Sequence, residues 1–486
     1  MESALQASYL LTYGEVVVGV STTAVQTAKG VLTFPSDFWW GAATAAYQIE
    51  GSVDADGRTP SIWDTFSAQP GRVDNGDTGA RTTGHYLRYR DDVALMRQLG
   101  LSAYRFSIAW PRVRPAGGTG VNEAGLGFYD RLVDELLAAG VRPTATLYHW
   151  DLPQELEDAG GWTNRDTALH FGDYAAAVAA RLGDRVALWN TLNEPWCSAF
   201  LGYGTGAHAP GRRGHLNALV ATHPLLLAHG QGVAALRSAG VTGQVSVALN
   251  AGAVRPFTDA PADLDAARRI DGLLNRIFFD PILRGSYPAD TVADIADITD
   301  MSYVRSGDLE VVSQPVDAVC VNYYQPDLVS AATDGTLDEG TPYPTAQHVR
   351  FHPTPGPVTH MGWSVDPTGL RDLLLRIRRD YGDRPLYVTE NGAAYDDRLT
   401  PDGAIHDPER IAYLQGHLAA VHEAITAGVD LCGYFAWSLL DNFEWAFGFS
   451  RRFGLIHVNY DSLARTVKSS GHWFAAAIAR NAIDAP

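Results

Sequence analysis

From residue 34 onward, short apolar runs rich in β-branched and aromatic residues alternate with longer stretches in which Leu recurs at helical spacing and charges fill the other face. Apolar runs of strand length, each followed by an amphipathic helix, predict βα units around a parallel sheet. Eight such runs stand out, at 39–43, 103–108, 144–148, 187–193, 245–250, 318–323, 386–390 and 433–437. Eight strands close a (β/α)8 TIM barrel of the α/β class. Residues 130–139 and 370–379 read as helices of its outer ring. Gly and Pro punctuate the joins back to the sheet, as in Ala139-Gly140-Val141-Arg142-Pro143.

A barrel of this kind needs roughly 250 residues, and the chain has 486. The surplus falls in stretches rich in Gly, Pro, Thr and His, notably 196–214 and 327–363. These read as long loops on the catalytic face, where they would shape a pocket. No internal repeat is evident, so residues 34–486 read as a single domain. Residues 1–33 read as an N-terminal appendage without expected regular structure. Glu15 interrupts their apolar run and no Lys or Arg precedes it, which makes a poor signal peptide.

Composition narrows the partners. The formal net charge is −18, and Lys and Arg gather into no basic stripe, so a nucleic acid would be repelled. No stretch reaches the roughly 20 uninterrupted apolar residues of a membrane span. Cys197, Cys320 and Cys432 are odd in number, far apart and without metal-ligand spacing. They read as buried thiols of a reducing compartment, with the cytoplasm as the expected location. Gly202-Tyr203-Gly204-Thr205-Gly206 lacks the spacing of a nucleotide-binding loop and reads as a flexible one. Neither metal nor cofactor is expected, and oligomeric state is not legible. The 12 Trp and 21 Tyr suit stacking on sugar faces.

The candidate chemistry lies at strand ends. Thr191-Leu192-Asn193-Glu194-Pro195 closes the fourth run and Thr389-Glu390-Asn391-Gly392-Ala393 the seventh. Two carboxyls so presented can serve glycoside hydrolysis, one donating a proton to the leaving oxygen while the other, about 5–5.5 Å away in retaining enzymes, attacks the anomeric carbon. Other strands contribute Gln48, Arg105, His149, Trp150, Asn322, Tyr324, Trp437, Glu444 and Trp445. Singly, His149 reads as a core histidine, Trp437 as barrel packing, Arg105 as a paired strand residue and Glu444 as a loop carboxylate. Jointly, polar and aromatic groups at most of the strand ends read as a pyranose site.

These segments resemble the family 1 glycoside hydrolases, and among them the β-glucosidases. The resemblance runs from about residue 34 to 473 and rests on ordered motifs. They include Trp40-Gly41-Ala42-Ala43-Thr44, Arg105-Phe106-Ser107, His149-Trp150-Asp151, Asn193-Glu194-Pro195, Asn322-Tyr323-Tyr324, Thr389-Glu390-Asn391-Gly392 and Trp437-Ser438 through Glu444-Trp445. It implies Glu194 as acid and then base, Glu390 as nucleophile, and Arg105 with Tyr324 as the groups that keep Glu390 ionised. It also implies that Gln48, His149, Trp150, Asn193, Asn322 and Glu444 surround the glucosyl unit, that Trp437 and Trp445 line it, and that Trp363 is the platform for the leaving group. Phospho-glycosidases of the family carry Ser and Lys where this chain has Glu444-Trp445, so an unphosphorylated sugar is expected. The expected activity is retaining hydrolysis of terminal β-D-glucosyl residues from cellobiose, short oligosaccharides and aryl glucosides. The alternative is a broad-specificity β-glycosidase acting mainly on β-galactosides or β-fucosides. Pro224 and Phe449 depart from the usual pattern, in ways expected to touch capping or packing rather than catalysis.

Overall fold

The computed structural model describes residues 30–114 and 120–486. All eight predicted strands are present: β1 (Trp39–Ala43), β2 (Ala103–Ser107), β3 (Arg142–Tyr148), β4 (Leu188–Asn193), β5 (Gln244–Asn250), β6 (Val319–Asn322), β7 (Leu386–Asn391) and β8 (Leu431–Trp437). They form one closed parallel barrel in chain order, with β6 paired to β7 and β8 to β1. Most of their residues are buried on both faces, which is why each reads as an apolar run rather than an alternation.

The outer helices follow their patterns. The helix Pro367–Tyr381 buries Leu370, Leu373, Leu374 and Ile377, the i, i+3, i+4, i+7 stripe of a helix packed on one face. The Asp366 side chain caps it by accepting the Thr368 N–H, and Pro367 opens it. The helix Glu123–Ala138 covers the stretch expected at 130–139 except its last residue, Ala139, which caps it. The helix His215–Ser238 is long and apolar enough to cross a membrane, but 78% of its apolar window is buried inside the protein. Pro224 lies within it, and the neighbouring His223 bonds Asp308 Oδ2 and the Tyr287 hydroxyl, each at 2.8 Å. Phe449 packs against Phe443 and Tyr460 with ring centroids 5.6 and 4.3 Å away.

Four expectations change. Val31–Thr33, assigned to the appendage, pairs antiparallel with Ala482–Asp484, so these three residues are part of the barrel domain's structure. The rest of the appendage, residues 1–29, lies outside the described residues. The stretch 327–363 is more than loop: Pro326–Ala331 pairs with Val349–His352 and with Ala253–Pro256 in a three-stranded sheet, because Val329 and Val349 have an apolar surface to cover. The Gly-rich segment expected to be flexible belongs to a π-helical stretch, Cys197–Thr205. Its glycines serve close packing: a Cβ on Gly202 would come within 2.7 Å of the Ala209 carbonyl oxygen. Cys197 and Cys320 are buried as expected, whereas Cys432 is half-exposed.

Candidate active site

The barrel mouth opens at the C-terminal ends of the strands into a cavity of about 360 Å³, within the range of small-ligand sites. Glu194 and Glu390 both line it, although 196 residues (390 − 194) separate them along the chain. Each sits where the sheet departs from regular pairing. The ladder slips between Asn190 and Asn193 on β4 and between Val388 and Glu390 on β7. Such bulges re-aim a side chain at a barrel rim. Glu194 also adopts φ +46, as Trp150 (φ +74) and Trp445 (φ +49) adopt left-handed backbone around the same cavity. Each costs a non-glycine residue about 1–2 kcal/mol, and surrounding bonds hold it there, among them Glu194 N–H to Ala248 O at 2.9 Å.

One hydrogen-bonded chain links the two glutamates. Arg105 Nη1 donates to Glu390 Oε1 at 2.5 Å and Nη2 to Asn193 Oδ1 at 2.6 Å. Asn322 Nδ2 donates to Asn193 Oδ1 at 3.0 Å and to Glu194 Oε1 at 2.8 Å. The Tyr324 hydroxyl donates to Glu390 Oε2 at 2.7 Å, and the Cys197 thiol to Glu194 Oε2 at 3.3 Å. Two donors on Asn193 Oδ1 orient its amide, so Nδ2 faces His149 Nε2 at 3.1 Å as a donor. The His149 proton therefore resides on Nδ1. Burial and the Arg105 charge push its basicity well below the ordinary histidine range, and the ring stays neutral.

The two carboxyls occupy different electrostatic settings. Burial and then the charge of Glu390 push Glu194 up to about 8. Burial raises Glu390 too, but the Arg105 guanidinium and the Tyr324 hydroxyl pull it back. Two carboxyls that line one cavity and feel each other's charge titrate together, and the negative charge settles on Glu390 beside Arg105. Glu444, deep in the same cavity, is pushed up to about 8 by burial and by the charges of Glu390 and Glu194.

Glu444 is held by the loop after β8. Lys468 Nζ bonds Asp441 Oδ1 at 2.6 Å and also reaches Asp397, all three groups being buried. Gln48 Nε2 donates to Asn442 Oδ1 at 3.0 Å and to Phe443 O at 2.8 Å. This leaves Gln48 Oε1, His149 Nδ1 and Glu444 Oε2 buried without a hydrogen-bond partner among the described residues. Buried polar atoms are rarely left so, and three together mark a place for a polyhydroxylated ligand. Aromatic rings wall it: Trp445 lies 4.5 Å from Trp150 and 4.6 Å from Trp63 between centroids, and His149 5.9 Å from both Trp437 and Trp445. Trp363 also lines the cavity, 5.3 Å from Tyr324 between ring centroids.

Of the residues singled out by sequence, His149, Trp150, Glu194, Asn322, Tyr324, Trp363, Glu390, Trp437, Glu444 and Trp445 line the cavity. Arg105 and Asn193 do not line it but hold Glu390 and His149, which do, and Gln48 holds Asn442 and Phe443 just before Glu444. Sequence reasoning missed Cys197, whose position three residues after Glu194 was the available signal, and Trp196, Tyr343 and Phe453 on the wall.

The model of glycosyl hydrolase family 1 matches residues 31–483 of the 486. The chain belongs to that family. This family 1 chain is 50% identical to thermostable β-glucosidase B of Thermobispora bispora, over 95% of this chain and 93% of the relative. It is 48% identical to a bifunctional β-D-glucosidase/β-D-fucosidase of Bifidobacterium breve, over 92% and 98% of the two chains. Among solved structures, a psychrophilic β-glucosidase from Micrococcus antarcticus superposes with a TM-score of 0.89 at 48% identity, covering 92% of this chain and 98% of the other. The family 1 chain is thus a glycoside hydrolase with a (β/α)8 barrel.

Proposed function

We propose that this family 1 enzyme is a retaining β-glucosidase that removes terminal non-reducing β-D-glucosyl residues from short oligosaccharides and aryl glucosides. The observation that carries the mechanism is the unlike surroundings of two glutamates in one cavity: Arg105 and Tyr324 grip Glu390, whereas burial and the Glu390 charge push Glu194 up to about 8. Two titratable groups driven apart in this way supply an acid and a nucleophile.

In the first half-reaction Glu390 attacks the anomeric carbon, the bond to the leaving oxygen breaks, and that oxygen takes the proton of Glu194. The glucosyl ester so formed leaves Glu390 uncharged. Burial still acts on Glu194, but the Glu390 charge that added to it is then gone, so the Glu194 carboxyl ionises more readily. In the second half-reaction it accepts a proton from water as the water oxygen bonds the anomeric carbon, and Glu390 departs as carboxylate. Two inversions return the β configuration. Gln48, His149 and Glu444 present unpaired polar atoms to the glucosyl hydroxyls, and Asn193, fixed by Arg105 and Asn322, lies beside the nucleophile where a 2-hydroxyl would sit. Trp437 and Trp445 cover the apolar face of the ring. A sugar phosphate would meet Glu444 at the position it needs a cation, which argues against that substrate class.

Three measurements test this reading. Proton NMR of the early wild-type product should show β-glucose, and an α product excludes the retaining mechanism. Rates on p-nitrophenyl β-glucoside, β-fucoside, β-galactoside and β-mannoside should be highest for the glucoside, with the fucoside as a side activity. A galactoside or mannoside in first place would reassign the substrate. Glu390→Gly should be inert and regain turnover with azide as an α-glucosyl azide; the same product from Glu194→Ala would exchange the two roles.

A further inference from the structure

The cavity is polar at two places, and only one of them belongs to the glucosyl site. Gln48, His149 and Trp437 come from the β1, β3 and β8 side of the barrel, whereas β5 and β6 lie across the ring from β1 and β2. Asn250, the last residue of β5, and Gln325 and Asp327, just beyond β6, line the cavity from that opposite side. Their side chains have no hydrogen-bond or ion-pair partner among the described residues, and neither cation nor donor offsets the burial that pushes Asp327 up to about 7.

The placement of Asp327 is built in. It lies on the strand Pro326–Ala331, whose partner strand pairs Val254 with it. Gly252, immediately before that partner, leaves room for the carboxyl: a Cβ there would come within 2.7 Å of Asp327 Oδ2. A carboxylate accepts only, and the flanking amides both donate and accept. That combination matches several hydroxyls on one ring. With the glucosyl unit held against β1, β3 and β8 and the scissile bond between Glu194 and Glu390, the leaving group extends over β5 and β6.

We infer that Asp327, with Gln325 and Asn250, is the specificity determinant for the leaving group, and that it selects a second sugar through its hydroxyls over an apolar aglycone. The inference rests on the β-glucosidase reading. All three residues are half-buried, so an aryl leaving group over β5 and β6 covers their polar atoms without bonding them, and sites built to bond a hydroxyl discriminate against ligands that lack it.

The test is the ratio of kcat/KM for cellobiose to kcat/KM for p-nitrophenyl β-D-glucoside, measured on the full chain and on Asp327→Asn. Both values scale with the concentration of active enzyme, so the ratio is independent of how much variant folds. The ratio should fall roughly tenfold in Asp327→Asn, and Gln325→Leu should lower it in the same direction. A ratio within twofold of wild type in both variants overturns the inference. So does a loss seen only with 2-aminoethyl β-D-glucoside, which would make Asp327 a partner for cations instead. If the wild type hydrolyses neither glucoside, the β-glucosidase reading itself fails, and the two failures are told apart.

Discussion

At the scale of single residues the chemistry depends on where one proton resides. Glu194 must be protonated to act as acid, so kcat/KM should fall as pH rises through about 8, the value to which burial and Glu390 push it. Cys197 modulates this setting, because a thiol donating to Oε2 favours the carboxylate form. Cys197→Ala should therefore move the alkaline limb upward by roughly half a pH unit, the loss of a weak hydrogen bond. A limb that stays in place in the pH profile would reduce Cys197 to packing. Both glutamates were legible in the sequence because each ends an apolar run on a turn-forming tail, and Arg105 and Tyr324 were legible through resemblance. The Cys197 contact was not, since a thiol in an apolar stretch carries no mark of which neighbour it faces. Nor does the sequence show that Asn193 has two donors on its oxygen, which is what settles the His149 tautomer.

At the scale of elements, buried parallel strands leave the clearest trace, and all eight are found where the apolar runs lie, with no end moved by more than two residues. The slips in β4 and β7 leave none, because a bulge is a relation between neighbouring strands rather than a property of one. The segments 197–205 and 326–352 were hidden for the opposite reason: their Gly, Pro and Thr content resembles loop, while their structure follows from the surfaces they cover. The short pairing of Val31–Thr33 with Ala482–Asp484 gives an element-level prediction. Ala482 and Ile483 are buried, so a chain ending at 481 should lose about 2–3 kcal/mol of stability by denaturant unfolding. An unchanged midpoint would show that the pair adds nothing to the barrel.

At the scale of the whole molecule, the cavity makes stability depend on pH in a direction opposite to that of paired surface carboxylates. The ordinary carboxyl value of Glu444 is 4.5 and its folded value about 8, so the folded state keeps a proton that the unfolded chain releases. Its unfavourable contribution is absent below 4.5, grows through that window and is complete above 8. Glu444→Gln should therefore gain thermal stability over the parent by an amount that increases from about pH 5 to about pH 9, while losing activity. A melting difference that is flat with pH would contradict it. The site is thus held in an unfavourable state by the rest of the fold, in keeping with the left-handed backbone at Trp150, Glu194 and Trp445. The two-stranded pairing of Val31–Thr33 with Ala482–Asp484 has a further consequence for handling the enzyme. It sits at the foot of the barrel, where Phe34 leads into the N-terminal end of β1, and the mouth is at the other end. A support coupled through the C-terminus would therefore carry the enzyme upright, with the sugar entrance turned toward the liquid.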